Sequence, residues 1–170
     1  MSPLRFRAPR ATRLLAGLSL ALAAAGCDNN PLVLEPKLAT QTIVLTIAGG
    51  NALPQTLTWT TGTGAVIPAT ITLPTIATPT KTLGTTRTVT AQFLRANGTS
   101  DPVVTAGDYR LEFGVASGNS ASIARTGSFG AMVTTGNSAG NTMLTMRLVN
   151  VLEERTEYTS SQVTLQVQDP

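Results

Sequence analysis

One stretch of the chain has the spacing of a catalytic serine motif. Gly136-Asn137-Ser138-Ala139-Gly140 matches G-x-S-x-G, in which a serine on a sharp strand-to-helix turn acts as the nucleophile. Such a serine needs a base to take its proton, but the chain has no histidine, and its only lysines are Lys37 and Lys81. The residues after Gly140 have a strand pattern, and glycine, asparagine and serine are typical β-turn residues. We therefore predict a turn here and no catalytic residues.

The chain is also poor in residues that bind metal ions. Histidine is absent and cysteine occurs once, so zinc, copper and haem lack their usual ligands. Asp101 and Asp108 flank one loop, and Glu153, Glu154 and Glu157 form an acidic cluster, but neither group has the D-x-D spacing of a calcium loop. We interpret both groups as solvated loop carboxylates and predict no metal site and no cofactor. An enzyme would need carboxylates that meet only in the folded chain, and we predict that the protein is not an enzyme.

The only cysteine, Cys27, follows a short apolar run near the N-terminus. Four arginines and no acidic residue precede Leu14–Ala25, whose twelve residues are too few to span a bilayer core of about 30 Å. A basic start, a short apolar run and small residues before a break are typical of a secretory signal peptide. The break itself, Ala24-Ala25-Gly26-Cys27, resembles the bacterial lipoprotein box.

In that family the peptide is cut before the cysteine, and the thiol carries a lipid. The resemblance implies a signal peptide at 1–26, a lipidated Cys27 with a tether at 27–40, and a domain at 41–170. It also implies an exported protein anchored to a bacterial cell membrane, inner or outer, with its domain outside the cytoplasm. Two alternatives stay open, which are ordinary cleavage after Ala23-Ala24-Ala25 with a free thiol, and a buried cysteine in a helix.

The charge of the chain depends on whether this leader is removed. The full chain has a net charge of +3, which alone would suggest a nucleic-acid partner. Four of its twelve basic residues lie in the leader, so residues 28–170 contain eight basic and nine acidic residues. Those basic residues stand singly, with no run that could follow a phosphate backbone. We predict no nucleic-acid partner.

Residues 41–170 have the pattern of short β-strands. Threonine fills 28 of the 143 positions after Cys27, and β-branched residues favour extended strands. Apolar and polar residues alternate in eight segments, at 42–47, 56–60, 69–73, 87–95, 109–115, 129–134, 142–149 and 162–168. The alternation predicts inward positions at Ile43, Leu45, Ile47, Leu57, Trp59, Ile71, Leu73, Val89, Ala91, Phe93, Tyr109, Leu111, Phe113, Val115, Leu144, Met146, Leu148, Val163, Leu165 and Val167. We predict an all-β, antiparallel β-sandwich of about seven to nine strands.

Part of this region resembles a known family. Ser122–Phe129 and Gly140–Met146 are similar to the last strands of bacterial immunoglobulin-like domains of the group 2 type, and Thr86–Gly98 is similar to an earlier strand and turn. The resemblance covers about residues 80 to 168. It implies an immunoglobulin-like fold in an extracytoplasmic setting, and it brings no catalytic residues with it.

These features together predict a membrane-anchored lipoprotein with a structural, adhesive or protein-binding role. Threonine-rich faces and an edge strand would provide the contacts to another envelope protein. The alternative is a module that binds carbohydrate or a small molecule, which would need an exposed aromatic platform. Tyr158, in the predicted loop Glu157–Ser160, is the candidate for such a platform, and an exposed Trp59 would also favour this alternative.

Overall fold

The computed structural model describes residues 37–49, 53–74, 86–136 and 138–168. Within these ranges the chain is all-β, as predicted, and has no helix that could cross a membrane. Its strands are β1 (Thr42–Ala48), β2 (Gln55–Thr60), β3 (Val66–Ile67), β4 (Thr70–Pro74), β5 (Thr86–Leu94), β6 (Tyr109–Ser117), β7 (Ala121–Thr126), β8 (Gly130–Thr135), β9 (Gly140–Asn150), β10 (Arg155–Thr159) and β11 (Val163–Gln168). The predicted signal peptide at 1–26, Cys27 and the tether up to residue 36 lie outside the described residues.

Six strands form the first sheet, in the order β3-β2-β1-β5-β8-β7. Every neighbouring pair in this sheet is antiparallel. In the register of the central strands, Ile43 of β1 lies opposite Trp59 of β2 and Phe93 of β5. The inward residues of the three strands are therefore aligned across the sheet.

The other five strands form the second sheet around β9. Strand β6 pairs with one edge of β9, while β11 and β10 share its other edge, β11 along the first half and β10 along the second. Ser160 closes the gap between them, because its N–H donates to the Met146 carbonyl and its Oγ accepts from the Met146 N–H, both at 2.9 Å. The buried Ser160 thus continues the hydrogen-bond ladder on this edge of β9, between the segments that pair with β11 and β10.

One edge of the second sheet differs from the prediction of wholly antiparallel pairing. Strand β4 lies parallel to β11, with Thr70 opposite Thr164. The cause is the short connection at Pro68 and Ala69, which joins β3 of the first sheet to β4 of the second. The chain crosses between sheets at this point instead of turning back into a hairpin.

The two sheets enclose one hydrophobic core. Its buried residues include Ile43, Leu45, Leu57 and Trp59 of the first sheet and Ile71, Leu111, Leu148 and Leu165 of the second. Most predicted inward residues are buried, so the alternation gave the correct face for these strands. Ala91 and Phe113 are partly buried against the core, and Val115 is the exception, being 50% exposed. The pairing of β6 with β9 shifts register between Val115 and Ser117, and this irregularity takes the end of β6 out of the core.

The alternation did not predict three strands, namely β3, β7 and β10, although the family resemblance at Ser122–Phe129 covers most of β7. The chain passes from β6 of the second sheet to β7 of the first within three residues, starting at Gly118. Gly118 has a φ of +85°, and a Cβ there would collide with the carbonyl oxygen of Asn141. Glycine is thus required at this crossing both by conformation and by space.

Candidate functional site

The outward side of the first sheet is covered mainly by small side chains, and none of its described residues is charged; Ile67 of β3 also lies on this side and is 73% exposed. We call this surface the threonine face. Its residues are Thr42, Val44, Thr46, Ala48, Thr56, Thr58, Thr60, Thr86, Thr88, Thr90, Gln92, Ser122, Ala124, Thr126, Met132 and Thr134. Ten of these sixteen residues are threonines.

The threonine face arises from alternation within strands and from register between them. Thr56–Thr60 of β2 and Thr86–Thr90 of β5 each have threonine at every second position, so the hydroxyls of one strand share one side of the sheet. Strand β1 lies between these two, and its Thr46 is opposite Thr56 on one side and Thr90 on the other. Neighbouring strands are about 4.8 Å apart, so the hydroxyls form rows across the sheet.

Charge distinguishes the two outward surfaces. Among the described residues, no charged side chain belongs to the threonine face. The outward side of the second sheet carries an ionic cluster, in which Glu112 accepts from Arg110 at 2.7 Å and from Arg147 at 3.0 Å. A partner that covers the threonine face would therefore not have to desolvate a charge, which is the most costly group to bury.

Threonine can contact a partner in two ways. Its hydroxyl both donates and accepts a hydrogen bond, and its methyl group adds apolar contact area. The hydroxyls of Thr86 and Thr134 lie 3.4 Å apart on neighbouring strands, close enough to hydrogen-bond each other. The threonine face can thus bind a surface that presents its own hydroxyl, amide or carbonyl groups.

The strand at one edge of this sheet, β7, is also accessible. Ser122, Ala124, Arg125 and Thr126 of β7 are exposed, and β8 is the only described strand that pairs with β7. The Thr142 hydroxyl accepts from the Ala121 N–H and donates to the Ala121 carbonyl, so it covers the first residue of this edge. The opposite edge is β3, which has only two residues. At the edge of the second sheet, the Gln55 side chain donates to the Thr72 carbonyl of β4 at 2.7 Å and so covers part of that edge. Strand β7 therefore fits the predicted role of an edge strand that could pair with another chain.

Asp101 is not the solvated loop carboxylate that the sequence suggested. It is 4% exposed and accepts hydrogen bonds from Ala39 N–H, Thr40 Oγ1, Val103 N–H and the Arg95 guanidinium at 2.8–3.2 Å. Burial alone would raise the pKa of Asp101, but these hydrogen bonds together lower it. The carboxylate thus attaches residues 39 and 40, the described end of the predicted tether, to the domain.

Asp108, Glu153 and Glu157 have partners other than those of Asp101. Asp108 accepts from the Thr105 hydroxyl, and Glu153 and Glu157 both pair with Arg155. In the described part of the chain, no three metal-ligating side chains come together. The carboxylates of Glu153 and Glu157 form ion pairs with Arg155, and that of Asp108 hydrogen-bonds within a turn.

Tyr158 and Trp59, the candidate aromatic platforms, both contact the core. The predicted loop at Glu157–Ser160 is wrong, because Tyr158 belongs to strand β10 and is half-buried against the core. Burial raises the pKa of Tyr158, and a hydrogen bond with the Thr61 side chain opposes that increase. Trp59 is 0% exposed, and its Nε1 has no hydrogen-bond partner among the described residues. Trp59 therefore offers no surface for stacking.

The serine motif lies in a connection between strands. Gly136, Ser138 and Ala139 lie between β8 and β9, and the chain continues from Gly140 as a strand. The strand-to-helix turn that such a nucleophile needs is thus absent after Ser138. Asn137 lies outside the described residues.

A small cavity lies inside the core between the sheets. Its volume is about 10 Å³, and its lining is apolar, including Leu45, Val89, Leu144 and Leu165. A space of this size holds about one water molecule and offers that water no polar partner. We interpret it as a small packing gap that could not hold a ligand.

Comparisons with known proteins gave no relative of this chain. No family model, no curated protein and no solved structure matches it.

Proposed function

We propose that this chain is a lipid-anchored lipoprotein of a bacterial cell envelope whose immunoglobulin-like β-sandwich binds another envelope protein through the threonine face. The anchor is inferred from the lipoprotein box that ends at Cys27. The binding role is supported by one observation above all, which is the absence of charge from the described residues of the threonine face. Two sheets around a common core are consistent with the proposed sandwich.

The area of the threonine face and the anchoring of the protein to a membrane would together determine how tightly the face binds a partner. Across five strands of six to nine residues the threonine face measures roughly 20 Å by 20 Å, on the order of 400 Å². Standard interfaces bury about 800 Å² on each partner, so we expect weak binding in free solution. Anchoring both proteins to one membrane would raise their effective concentration and compensate for a small interface.

The anchor can be tested by mass spectrometry of the processed protein. We expect the first residue to be Cys27, carrying a diacylglyceryl group and fatty acid, and we expect a Cys27→Ser variant to be unlipidated and released from membranes. An unmodified thiol, or a different first residue, would contradict the anchor.

The binding face can be tested with single added charges. We expect Thr58→Lys and Thr90→Lys, both at exposed positions of the threonine face, to reduce recovery of the partner by about tenfold or more. The reason is that an unpaired buried charge costs several kcal/mol, and about 1.4 kcal/mol corresponds to tenfold in affinity. The measurement is affinity purification of the acylated protein from envelope extract, with quantification of whatever protein is enriched over an untagged strain.

Thr72→Lys is the matched control, because Thr72 is an exposed threonine of β4 in the second sheet. All three variants should unfold within about 1 kcal/mol of the wild type, as expected for exposed strand positions. Loss of the partner in Thr72→Lys with retention in both other variants would show that the partner binds elsewhere. Enrichment of a polysaccharide instead of a protein would favour the alternative of a carbohydrate-binding module.

A further inference from the structure

Strand β7 presents free backbone groups at the edge of the first sheet. In an antiparallel pair, the N–H and C=O groups of every second residue point toward the paired strand, and those of the residues between point away from it. The N–H and carbonyl of Ala121 both bond the Thr142 hydroxyl, so they point away from β8. Those of Ile123 and Arg125 therefore point the same way, and no hydrogen bond among the described residues involves them. This edge thus offers four backbone groups to an added strand.

The space beside this edge is open. Residues 122 and 124–127 are exposed, and so are residues 114–117 at the end of β6, which precedes β7 in the chain. On the inward side, Ile123 and Phe113 line the same gap between the two sheets and are only partly buried. On the outward side, Ser122, Ala124 and Thr126 belong to the threonine face. A strand added to β7 would therefore extend the threonine face and cover Ile123.

Arg125 gives this edge an unpaired positive charge. Among the described arginines it alone is exposed without an ion pair. The others are Arg95, Arg110, Arg147 and Arg155, which form salt bridges, and the buried Arg87, which is 1% exposed. Arg125 lies on the same side of β7 as Ile123, which is the inward side. A charge there opposes pairing with an apolar strand, whereas a carboxylate at the facing position would satisfy the guanidinium through paired hydrogen bonds.

A second copy of β7 would not supply that carboxylate. Antiparallel pairing centred on Ala124 puts each Arg125 opposite Ile123 of the other copy, where the cation has no counter-ion. Pairing centred on Arg125 puts two like charges directly opposite each other, which is destabilising. Pairing centred on Ile123 puts Arg125 opposite Ala121, whose backbone groups already bond Thr142. The edge therefore fits a strand of different sequence better than it fits itself.

We propose that β7 adds an antiparallel strand of the partner, in which a glutamate or aspartate lies opposite Arg125 and an apolar residue lies opposite Ile123. Antiparallel pairing is the arrangement of every pair in this sheet. Because the added strand runs opposite to β7, its acidic residue comes two positions before its apolar residue. The backbone groups hold the strand, and the cross-strand ion pair selects its sequence. This inference rests on the proposed protein-binding role and names the segment of the partner that binds.

Short synthetic strands added to the isotope-labelled, detergent-solubilised full chain test the proposal. The probe is the acetylated and amidated peptide Thr-Thr-Glu-Thr-Val-Thr-Thr, and its control has lysine in place of glutamate. We expect the glutamate peptide to shift the amide NMR signals of Ile123 and Arg125 more than that of Thr72 in β4, the edge strand of the second sheet. It should bind about threefold or more tightly than the lysine peptide, and high salt should reduce this preference.

N-methylation of the probe tests whether it binds as a strand. A methyl group on the backbone nitrogen of its glutamate or valine, which faces β7, should abolish binding, while one on the threonine between them should not. Arg125→Glu should reverse the preference toward the lysine peptide. Arg147→Glu, a matched change at an exposed arginine of the second sheet, should leave the preference unchanged.

Three results would overturn the proposal. They are binding of neither peptide, equal binding of both, and self-association of the chain that competes with the glutamate peptide at β7, which would identify a second copy as the occupant. If the peptides fail while Thr58→Lys still loses the envelope partner, this inference is wrong and the threonine face stands. If the peptides bind as expected while Thr58→Lys and Thr90→Lys retain the partner, the partner binds through β7 and the threonine face is wrong.

Discussion

Replacing Asp101 by alanine is expected to lower the free energy of unfolding by about 3–5 kcal/mol, because it leaves a set of buried donors without their acceptor. The donors are the N–H groups of Ala39 and Val103, the hydroxyl of Thr40 and the partly exposed guanidinium of Arg95. The ion pair alone would contribute little, since Arg95 is 37% exposed. Most of the loss therefore comes from the backbone and hydroxyl hydrogen bonds. Urea unfolding of the wild type and of Asp101→Ala measures this loss of unfolding free energy.

Asp108→Ala is the control for this substitution. Its carboxylate accepts one exposed hydrogen bond from Thr105, so the expected loss is about 1 kcal/mol or less. If both variants lose the same small amount, Asp101 does not stabilise the attachment of residues 39 and 40, and the account of that contact is wrong.

The same carboxylate predicts how stability depends on pH. The pKa of Asp101 is lower in the folded protein than its usual unfolded value of about 3.9. Such a group stabilises the fold fully above the unfolded pKa, and this contribution is lost as the pH falls through the folded pKa. The wild type should therefore lose stability below about pH 4, and Asp101→Asn should lose less over that interval.

The second large effect is expected at Trp59. Because its side chain is completely buried between β2 and the facing sheet, Trp59→Ala should lose about 3–5 kcal/mol of unfolding free energy. Trp59→Phe should lose much less, about 1.5 kcal/mol or under, because the indole N–H that it removes has no partner in the described part of the chain. Denaturant unfolding of the two variants side by side measures the difference.

The pair of variants also separates a core role from a binding role. A tryptophan that acted as a sugar platform would lose ligand binding on substitution and leave stability nearly unchanged. If Trp59→Ala unfolds at the same urea concentration as the wild type, the burial of Trp59 is contradicted.

Alternation predicted the strands in which one face is buried and the other is not. The clearest cases are β1, β5 from Val89 onwards, and β11, which have apolar residues at every second position, and their buried sides are the predicted ones. The alternation missed strands β7 and β10 for a physical reason. Strand β7 has one large apolar residue, Ile123, and β10 contains two charged residues, Arg155 and Glu157. An edge strand buries little, so its sequence carries little alternation.

The candidate site depended on information that the sequence does not contain. Each threonine could be placed on the outward side of its own strand, but the continuous face exists only because β2, β1 and β5 are neighbours. Strand order is a tertiary property, as are the hydrogen bonds that bury Asp101 and the environment that encloses Arg87. Periodicity within a strand does not predict the strand order, the hydrogen bonds of Asp101 or the environment of Arg87.

Site-specific photo-cross-linking in intact cells tests the binding face most directly. A photoreactive phenylalanine at position 90 lies in the threonine face, and the same residue at position 72 lies on the second sheet. Our account predicts a discrete cross-linked protein from position 90 and none from position 72, in cells that retain Cys27. A cross-link from position 72 alone, or no cross-link from either position, would contradict the threonine face as the surface that binds a partner.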